Sequence, residues 1–374
     1  MSIIDTIIWG NEAESQKEPL RSELFSTEQM EQHAGNLAGF HQLSREKGAE
    51  RLLKLLSDNE EVLLRVTNML QEAVLEKKPI TPADEWLLDN FYLIEEQILI
   101  GKRYLPKGYS RGLPKLGNGR YAGFPRVYDI AIEIISHSDG HVNISSLSSF
   151  INAYQKVSNL TIGELWAIPI MLRLALIENL SRVAAQIAKD RKEAARAHHW
   201  ASLLIKIADE KPRDLVLTIA DMARENPPMS SSFVAEFARK LQWKGPGLTL
   251  PLNWIEQHLA ETGETISSMV LAENQRKAGS QVSVSNSISS LRFLAKTDWR
   301  EFVETMSVVE QILRTDQTGV YPHMDFYTRD HYRHSIEKIA LQSRLNQLQV
   351  ADLALDLARE NNLAGQPDPR IEHV

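Results

Sequence analysis

The stretch from Thr81 to Tyr128, TPADEWLLDNFYLIEEQILIGKRYLPKGYSRGLPKLGNGRYAGFPRVY, decides the fold class because an acidic helical pattern runs straight into a basic loop. Thr81 is a suitable N-cap, and Pro82 stands at the first helical position, where its missing N–H costs nothing. Apolar side chains then recur at the helical spacing i, i+4, i+7 and i+11, at Leu87, Phe91, Ile94 and Ile98. This spacing predicts one amphipathic helix whose other faces are acidic.

The charge changes sign between 101 and 126, where seven basic residues and no acidic residue occur: Lys102, Arg103, Lys107, Arg111, Lys115, Arg120 and Arg126. Tyrosines, glycines and prolines are interleaved with them, which predicts an ordered loop. One hypothesis is that Arg111, Lys115 and Arg126 bind an anion, such as a diphosphate or a lipid headgroup, or a stacked glucan. The favoured hypothesis is that the arginines pair with the acidic helix and that the tyrosines fill the gap.

Helical patterns cover nearly all of the remaining chain. Capping boxes are predicted where Ser or Thr precedes Gln or Glu by three residues, at Ser26 with Gln29 and at Thr161 with Glu164. Further helix starts are predicted at Ser145 or Ser146, Asp298, Thr328 and Asn346, and separate helices over 265–276 and 283–296. Pro169 lies inside a helical pattern and predicts a kink.

These patterns predict an all-α protein. Its helical hairpins are expected to pack into bundle-like or repeat-like subdomains, with one ordered basic loop rich in Gly, Pro and Tyr. We expect a flexible N-terminal segment over 1–20, a helical subdomain over 21–200 that contains the loop 101–126, and a second over 201–362. The residues 363–374 are expected to form a polar C-terminal tail.

Composition excludes several classes of function. The 374 residues are 43% hydrophobic and 24% charged, which is ordinary for a globular protein, and the net charge of −7 argues against general attraction to nucleic acid or anionic lipid. The absence of cysteine excludes disulfides, thiolate metal sites and cysteine catalysis. The longest apolar run, 165–180, contains Arg173 and Glu178 and is shorter than the ~20 residues that cross a bilayer. A soluble, cytoplasmic protein is predicted.

Signatures of glycosyl transfer are absent from the sequence. It contains no Asp-x-Asp, which holds the divalent ion in many nucleotide-sugar transferases, and no Gln-x-x-Arg-Trp or Gly-rich phosphate loop. Glu85, Asp89 and Glu96 are weak candidates for a general acid and base, a chemistry that needs carboxyl groups ~5–9 Å apart across a sugar. The favoured interpretation is that they neutralise the basic residues that follow.

Two groups of histidines have the composition of a metal site. His137, Asp139 and His141 alternate in a predicted turn, and His331 and His334 lie one turn apart beside Asp330 and Glu337. Because a metal site needs three or four converging ligands and neither group shows them, no metal and no cofactor is predicted. The tryptophans at helical positions are expected to be core residues: Trp86, Trp166, Trp254 and Trp299.

Several long strings resemble the cytosolic N-terminal region of the bacterial cyclic β-1,2-glucan synthases: PLRSELFSTEQMEQHA, EWLLDNFYLIEEQ, LPKGYSRGLPKL, AGFPRVYDIA, LTIGELWAI, VSVSNSISSLRFL, DWREFVETMSVVEQILR and GVYPHMDFYTRDHYRHSIEKIA. The resemblance extends from about Pro19 to Val374. Members of that family are very large inner-membrane enzymes that build and cyclise glucose polymers from UDP-glucose. The resemblance ends before their membrane spans and their glycosyltransferase and phosphorylase modules.

The resemblance implies a non-catalytic, structural or regulatory role at the inner face of the inner membrane. The implied partners are downstream glycosyltransferase and membrane modules or another protein, and the polypeptide would continue beyond Val374. Two alternatives stay open. One is an independent α-helical carbohydrate-active enzyme with opposed carboxylates on distant helices, and the other is a helical scaffold for a protein partner.

Overall fold

The structure, a computed structural model, describes residues 18–44, 51–105, 109, 112–316 and 319–363, with side chains described as far as 360. Over these residues the chain forms sixteen α-helices and one two-stranded antiparallel sheet, which confirms the predicted all-α class. The predictions for 1–17 and for the tail 364–374 lie outside the described residues, as does Arg111 of the basic loop. The packing of the helices into bundles or repeats stays a prediction.

The helices and strands have the following bounds: α1 Thr27–Phe40, β1 Leu43–Ser44, α2 Leu52–Leu75, α3 Pro82–Asp89, α4 Phe91–Tyr104, β2 Lys115–Leu116, α5 Arg126–His137, α6 Ile144–Gln155, α7 Ile162–Glu210, α8 Leu215–Arg224, α9 Ser231–Leu241, α10 Thr249–Ala260, α11 Ile266–Lys296, α12 Trp299–Met306, α13 Val308–Leu313, α14 Val320–His323, α15 Phe326–Gln342 and α16 Gln347–Leu363. Short 3₁₀ turns at Pro212–Asp214 and Pro246–Leu248 precede α8 and α10.

The chain divides into two compact units, each made of three chain segments. Unit 1 comprises the described parts of Met1–Leu20, Asp58–Glu95 and Glu178–Ile288, and unit 2 those of Arg21–Ser57, Glu96–Ile177 and Ser289–Val374. The sequence-based division at about residue 200 stays a prediction.

Unit 1 contains an apolar cluster built from the second half of α7 and the helices that follow it. Trp200, Leu204, Phe233, Phe237 and Ile255 are all buried within this cluster. The rings of Phe233 and Phe237 stack with centroids 5.7 Å apart. Trp254 packs against the cluster, as expected for a core tryptophan.

Unit 2 contains a second apolar cluster, in which α13 and α15 pack against α16. Val309, Leu313, Tyr321 and Ile336 are buried there together with Ile162 from the start of α7. Trp166 packs against this cluster, again as expected for a core tryptophan. In the same unit, α1 packs closely against α6.

The acidic helix predicted from Thr81 is two helices rather than one. Thr81 caps α3 through a capping box with Asp84, but α3 ends at Asp89 and α4 begins at Phe91. Between them Asn90 takes φ −112° and ψ 10° and its side-chain amide donates to the carbonyl of Trp86 at 2.8 Å. The Asn side chain competes with the hydrogen bonds of the helix backbone in this way. The apolar side chains keep their helical spacing on both sides of Asn90, so their pattern does not show the break.

Three other predicted boundaries are wrong. Asn143, not Ser145 or Ser146, caps α6, and Asp325, not Thr328, caps α15. Ser307 interrupts the helix predicted from Asp298, because its side chain accepts the N–H of Glu310 and starts α13. Ser and Asn supply caps wherever the backbone turns, and the sequence alone offers several such residues in each stretch.

The two helices predicted over 265–296 form the single helix α11. Its serine-rich middle is buried, with Ser283 and Ser287 both accepting from the side-chain amide of Asn179 at 3.0 and 3.1 Å. These long-range hydrogen bonds satisfy hydroxyls that would otherwise favour a turn. The helix α7 likewise continues through Pro169, where the predicted kink stays a prediction.

Candidate functional site

The basic loop 101–126 ends at Arg126, whose side chain is buried. Its guanidinium donates to both carboxylate oxygens of Glu164, from Nε at 2.6 Å and from Nη2 at 2.7 Å. The remaining donors reach the hydroxyl of Ser158 at 2.8 Å and the carbonyl of Asn159 at 2.7 Å. Arg126 therefore pairs with α7 and not with the acidic helix.

Glu164 caps the N-terminus of α7 in addition to pairing with Arg126. Its carboxylate accepts the backbone N–H of Thr161 at 2.9 Å, and the Thr161 hydroxyl accepts the N–H of Glu164 at 3.3 Å, which confirms the predicted capping box. Burial lowers the pKa of the Arg126 guanidinium, but the contact with Glu164 outweighs it and the pKa is raised overall. The charge of Arg126 is thus balanced within the fold.

Backbone pairing also holds the loop in place at Lys115, which is buried. Lys115 lies in β2, opposite Ser44 of β1, and also forms an isolated bridge with Pro125. One residue further on, the N–H of Leu116 donates to the carbonyl of Phe124 at 2.9 Å. Among the three predicted anion-binding residues, the structure places Lys115 and Arg126 in the loop's own framework, and Arg111 lies outside the described residues. Their anion-binding role stays a prediction.

The acidic candidates are exposed. Glu85 and Asp89 lie one turn apart on α3, and Glu96 lies on α4 in the other unit. Neighbouring Asp84, which sequence reasoning passed over, is fully buried and contacts Arg191 of α7 at 2.9 Å. Because Glu85 and Asp89 share one helix face, they do not face each other across a substrate as a glycosidase pair does.

The structure places His137 with partners that sequence reasoning missed. Its Nε2 lies 3.4 Å from Oε2 of Glu133, one turn earlier on α5, and the same oxygen lies 2.8 Å from Nε2 of His33 on α1. One ligand atom from each of the three residues lies within 4.8 Å of the others. The signal in the sequence was the Glu133–His137 spacing of four residues; His33, 100 residues from Glu133, gave none.

The remaining predicted histidine groups are not brought together in this way in the described residues. Asp139 is buried beside Arg21 at 3.7 Å, while His141 is exposed. His331 and His334 are both exposed on α15, and His334 contacts only its own helix at Asp330 in the contacts observed for it. The pattern of alternating residues in a turn thus pointed to the wrong neighbours of His137.

The histidine that caps the C-terminus of α1 belongs to a second polar group on α5. His41 is almost fully buried, with Nε2 2.9 Å from Asp129 and Nδ1 2.8 Å from the hydroxyl of Tyr154. Burial raises the pKa of Tyr154 to about 12, although Arg126 opposes the rise. Asp129 and Glu133 therefore give α5 two successive carboxylates that each meet a histidine.

A buried network of ion pairs in unit 2 joins α12 and α13 to α15. Glu310 accepts from Nη1 of Arg333 at 2.7 Å and from the Tyr321 hydroxyl at 2.7 Å, and both Glu310 and Arg333 are buried. Arg329 donates to the adjacent Glu304 from Nε at 3.1 Å and from Nη2 at 2.8 and 2.9 Å. Burial raises the pKa of Glu310, but hydrogen bonds from Tyr321, Arg314 and Arg333 outweigh it and hold that pKa below its usual value.

The fold and these clusters define an all-α protein in which the buried charged groups Arg126, Glu164, Glu310 and Arg333 pair with one another inside the fold. Comparison with curated proteins finds a match to the cyclic beta-(1,2)-glucan synthase NdvB of Rhizobium meliloti (strain 1021), 31% identical over 316 residues. The match covers 84% of this chain and 11% of the synthase. The resemblance to the cyclic β-1,2-glucan synthases is confirmed, and the chain is related to a segment of such an enzyme.

Because the chain spans about a tenth of the synthase that it matches, the activity of the whole enzyme is not thereby the activity of this chain. No family model matches the chain. Within the described residues, every helix is too short or too polar to cross a lipid bilayer.

Proposed function

We propose that this chain is a non-catalytic, structural or regulatory part of a cyclic β-1,2-glucan synthase-like protein. It would act in the cytoplasm, at the inner face of the bacterial inner membrane, by docking to the glycosyltransferase and membrane modules. The observation that carries the proposal is the 31% identity over 84% of the chain to a glucan synthase of which it matches only 11%.

The chemistry of the chain supports a role without catalysis. The sequence lacks the Asp-x-Asp that would hold a metal-bound diphosphate. The buried carboxylates Asp84, Glu164 and Glu310 each accept a hydrogen bond from an arginine side chain of the same unit. A general acid must lie within hydrogen-bond reach of its substrate, whereas these three carboxylates are buried against arginine side chains.

Two incubations test whether the chain is an enzyme. The purified chain would be incubated with UDP-glucose and, separately, with linear β-1,2-glucan, and the release of UDP or of glucose would be followed. We expect neither substrate to be consumed. Turnover of either would favour the alternative of an independent carbohydrate-active enzyme.

A complementation experiment tests the role in the synthase. A cyclic β-1,2-glucan synthase lacking the segment that matches this chain would be expressed alone and together with this chain, and cyclic glucan production would be measured. We expect co-expression to restore production and the two polypeptides to purify together. Absence of both would overturn the docking role and favour a scaffold for a different protein.

A pair of variants sharpens this result. Glu164→Gln should remove the carboxylate that holds the basic loop and so reduce restoration. The double variant Glu85→Gln with Asp89→Asn, which changes two exposed carboxylates, should restore production as the unchanged chain does. Loss of restoration in the double variant alone would show that the acidic face of α3, rather than the loop, carries the role.

A further inference from the structure

A group of three side chains in unit 2 has the composition and spacing of a metal site that neither the sequence patterns nor the comparison with the glucan synthase indicates. We propose that His33, Glu133 and His137 bind one divalent transition-metal ion, for which Zn²⁺ is the best match. The proposal is independent of the role in glucan synthesis, since it rests on the geometry of α1 and α5.

A hydrogen bond to the backbone orients the ring of His137 toward Glu133. Its Nδ1 lies 2.7 Å from the backbone carbonyl of Glu23, and a carbonyl only accepts, so Nδ1 bears a proton. In the neutral ring Nε2 therefore presents its lone pair, and it does so 3.4 Å from the carboxylate of Glu133. A metal ion bound at this point would be coordinated by both Nε2 of His137 and the Glu133 carboxylate, and Nε2 of His33 lies 2.8 Å from the same carboxylate oxygen.

Two of the three ligand–ligand distances are close to those around a zinc ion. Zinc binds His nitrogen at about 2.0–2.1 Å and carboxylate oxygen at about 2.0–2.2 Å, so two ligands at the tetrahedral angle lie roughly 3.3–3.5 Å apart. The His137–Glu133 distance of 3.4 Å is of this length, and the His33–Glu133 distance of 2.8 Å needs to lengthen by about half an ångström. The His33 side chain is partly exposed and so has room for this adjustment.

The surroundings hold His137 in place. The ring of Phe25 stacks on His137 with centroids 3.9 Å apart and an interplanar angle of 9°. The segment that carries Phe25 is bound to the end of α5 through backbone hydrogen bonds, including Phe25 N–H to the carbonyl of His137 at 3.2 Å. The Glu23 carbonyl accepts from Nδ1 of His137 and so fixes the tautomer and the orientation of the ring, as the backbone partner of a metal-binding histidine commonly does.

The site is accessible from solvent. The side chains of His33 and Glu133 are each 26% exposed and that of His137 is 12% exposed, so an ion can enter and a water molecule can complete the coordination. Two imidazoles with one carboxylate form a set that suits zinc with one open position. Mg²⁺ and Ca²⁺ prefer ligand sets made entirely of oxygen, which excludes them as the best match.

Titration of the chelator-treated full chain with Zn²⁺, followed by calorimetry, tests the proposal. We expect one Zn²⁺ per chain and a higher melting temperature in its presence. Titration with Co²⁺ should add the visible absorption bands of a four-coordinate ion. A stoichiometry far below one, or binding without any change in melting temperature, would overturn the site.

Variants locate the bound ion. His33→Ala and Glu133→Gln should each weaken Zn²⁺ binding by more than about 100-fold, because loss of an outer partner alone costs 10- to 100-fold. Glu133→Gln keeps the shape of the side chain, and circular dichroism without metal would establish that both variants fold. His141→Ala, which changes an exposed histidine of the same unit, should bind Zn²⁺ as the unchanged chain does.

The competing explanation is that hydrogen bonds alone hold the three side chains together, without a metal ion. In that case Zn²⁺ would bind weakly or at exposed histidines, and His33→Ala would leave its affinity unchanged while His141→Ala lowered it. Either result would show that the three residues form a hydrogen-bonded brace between α1 and α5 and would overturn the metal site.

Discussion

The guanidinium of Arg126 is bound by both oxygens of the Glu164 carboxylate, 38 residues further along the chain. Arg126 closes the basic loop as the first residue of α5, and Glu164 belongs to the capping box of α7. The pair therefore joins the end of the loop to the beginning of a long helix. Both side chains are almost without solvent contact, so each depends on the other to compensate its charge.

Glu164→Gln is expected to destabilise the protein by about 3–5 kcal/mol, because it leaves the Arg126 charge buried and unbalanced. Urea unfolding followed by circular dichroism would measure the change in unfolding free energy. The matched control is Asp221→Asn, which removes an exposed pair with Arg224 and should cost about 0–1 kcal/mol. Equal losses of unfolding free energy in the two variants would show that the buried pair contributes no more to stability than an exposed pair.

The stability that Glu310 contributes is expected to depend on pH. Its pKa is held below the usual value in the folded protein, so its contribution is present in full above the unfolded pKa of about 4.3 and is lost as the pH falls through the lower, folded pKa. The difference in unfolding free energy between the unchanged chain and Glu310→Gln should therefore be largest near pH 7 and shrink below about pH 4.

Unfolding of both proteins at several pH values between 3 and 7 measures this difference. Glu301→Gln, at an exposed position on the neighbouring helix α12, serves as the control and should show a small difference that changes little with pH. A difference for Glu310→Gln that is constant across the range would mean that the carboxylate is not held ionised by Arg333 and Tyr321.

The N-terminus of α6 distinguishes the cap that the structure shows from the cap that the sequence predicts. Oδ1 of Asn143 accepts the N–H of Ser146 at 2.9 Å, so Asn143→Ala should cost about 0.5–2 kcal/mol. Ser145→Ala, which changes one of the two residues that the sequence indicated and an exposed one, should alter stability by less than about 0.5 kcal/mol. Thermal unfolding would rank the two variants, and the reverse order would restore the sequence-based assignment.

Two glycines of unit 2 should respond to alanine with opposite signs. Gly119 has φ +76°, and a Cβ there would lie 3.2 Å from the ring of Phe40, so Gly119→Ala should destabilise by about 1–2 kcal/mol. Gly35 lies inside α1 with open space around it, and Gly35→Ala should stabilise by about 0.5–1 kcal/mol. Melting temperatures that move in the same direction for both variants would contradict this account.

Much of the local structure could be predicted because it depends on residues that are close together in the chain. The capping boxes at Ser26, at Thr161 and at Asn346 were found from a spacing of three residues, and the structure contains all three. The predictions failed where distant residues decided the outcome. The serine-rich middle of α11 resembles a break until Asn179, about a hundred residues earlier, binds its hydroxyls.

The candidate site shows the same division. The sequence pointed to Arg126 as an important residue of the loop but predicted a partner on the nearby acidic helix. A charge pattern shows that residues of opposite charge are present, and it does not show which of them meet. It placed His137 in a group with its neighbours Asp139 and His141, although Glu133 and His33 are the residues that meet it. A partner 100 residues away leaves no mark on local periodicity.

The sequence by itself determined the all-α class, most helix starts and the relation to the cyclic β-1,2-glucan synthases, since these depend on local hydrogen bonding, on apolar spacing and on strings of residues that can be read in order. Only the tertiary structure decided which charges are compensated and which histidines converge. The reason is physical: a charge or a lone pair acquires its role from the groups within a few ångströms of it, and folding alone brings those groups together.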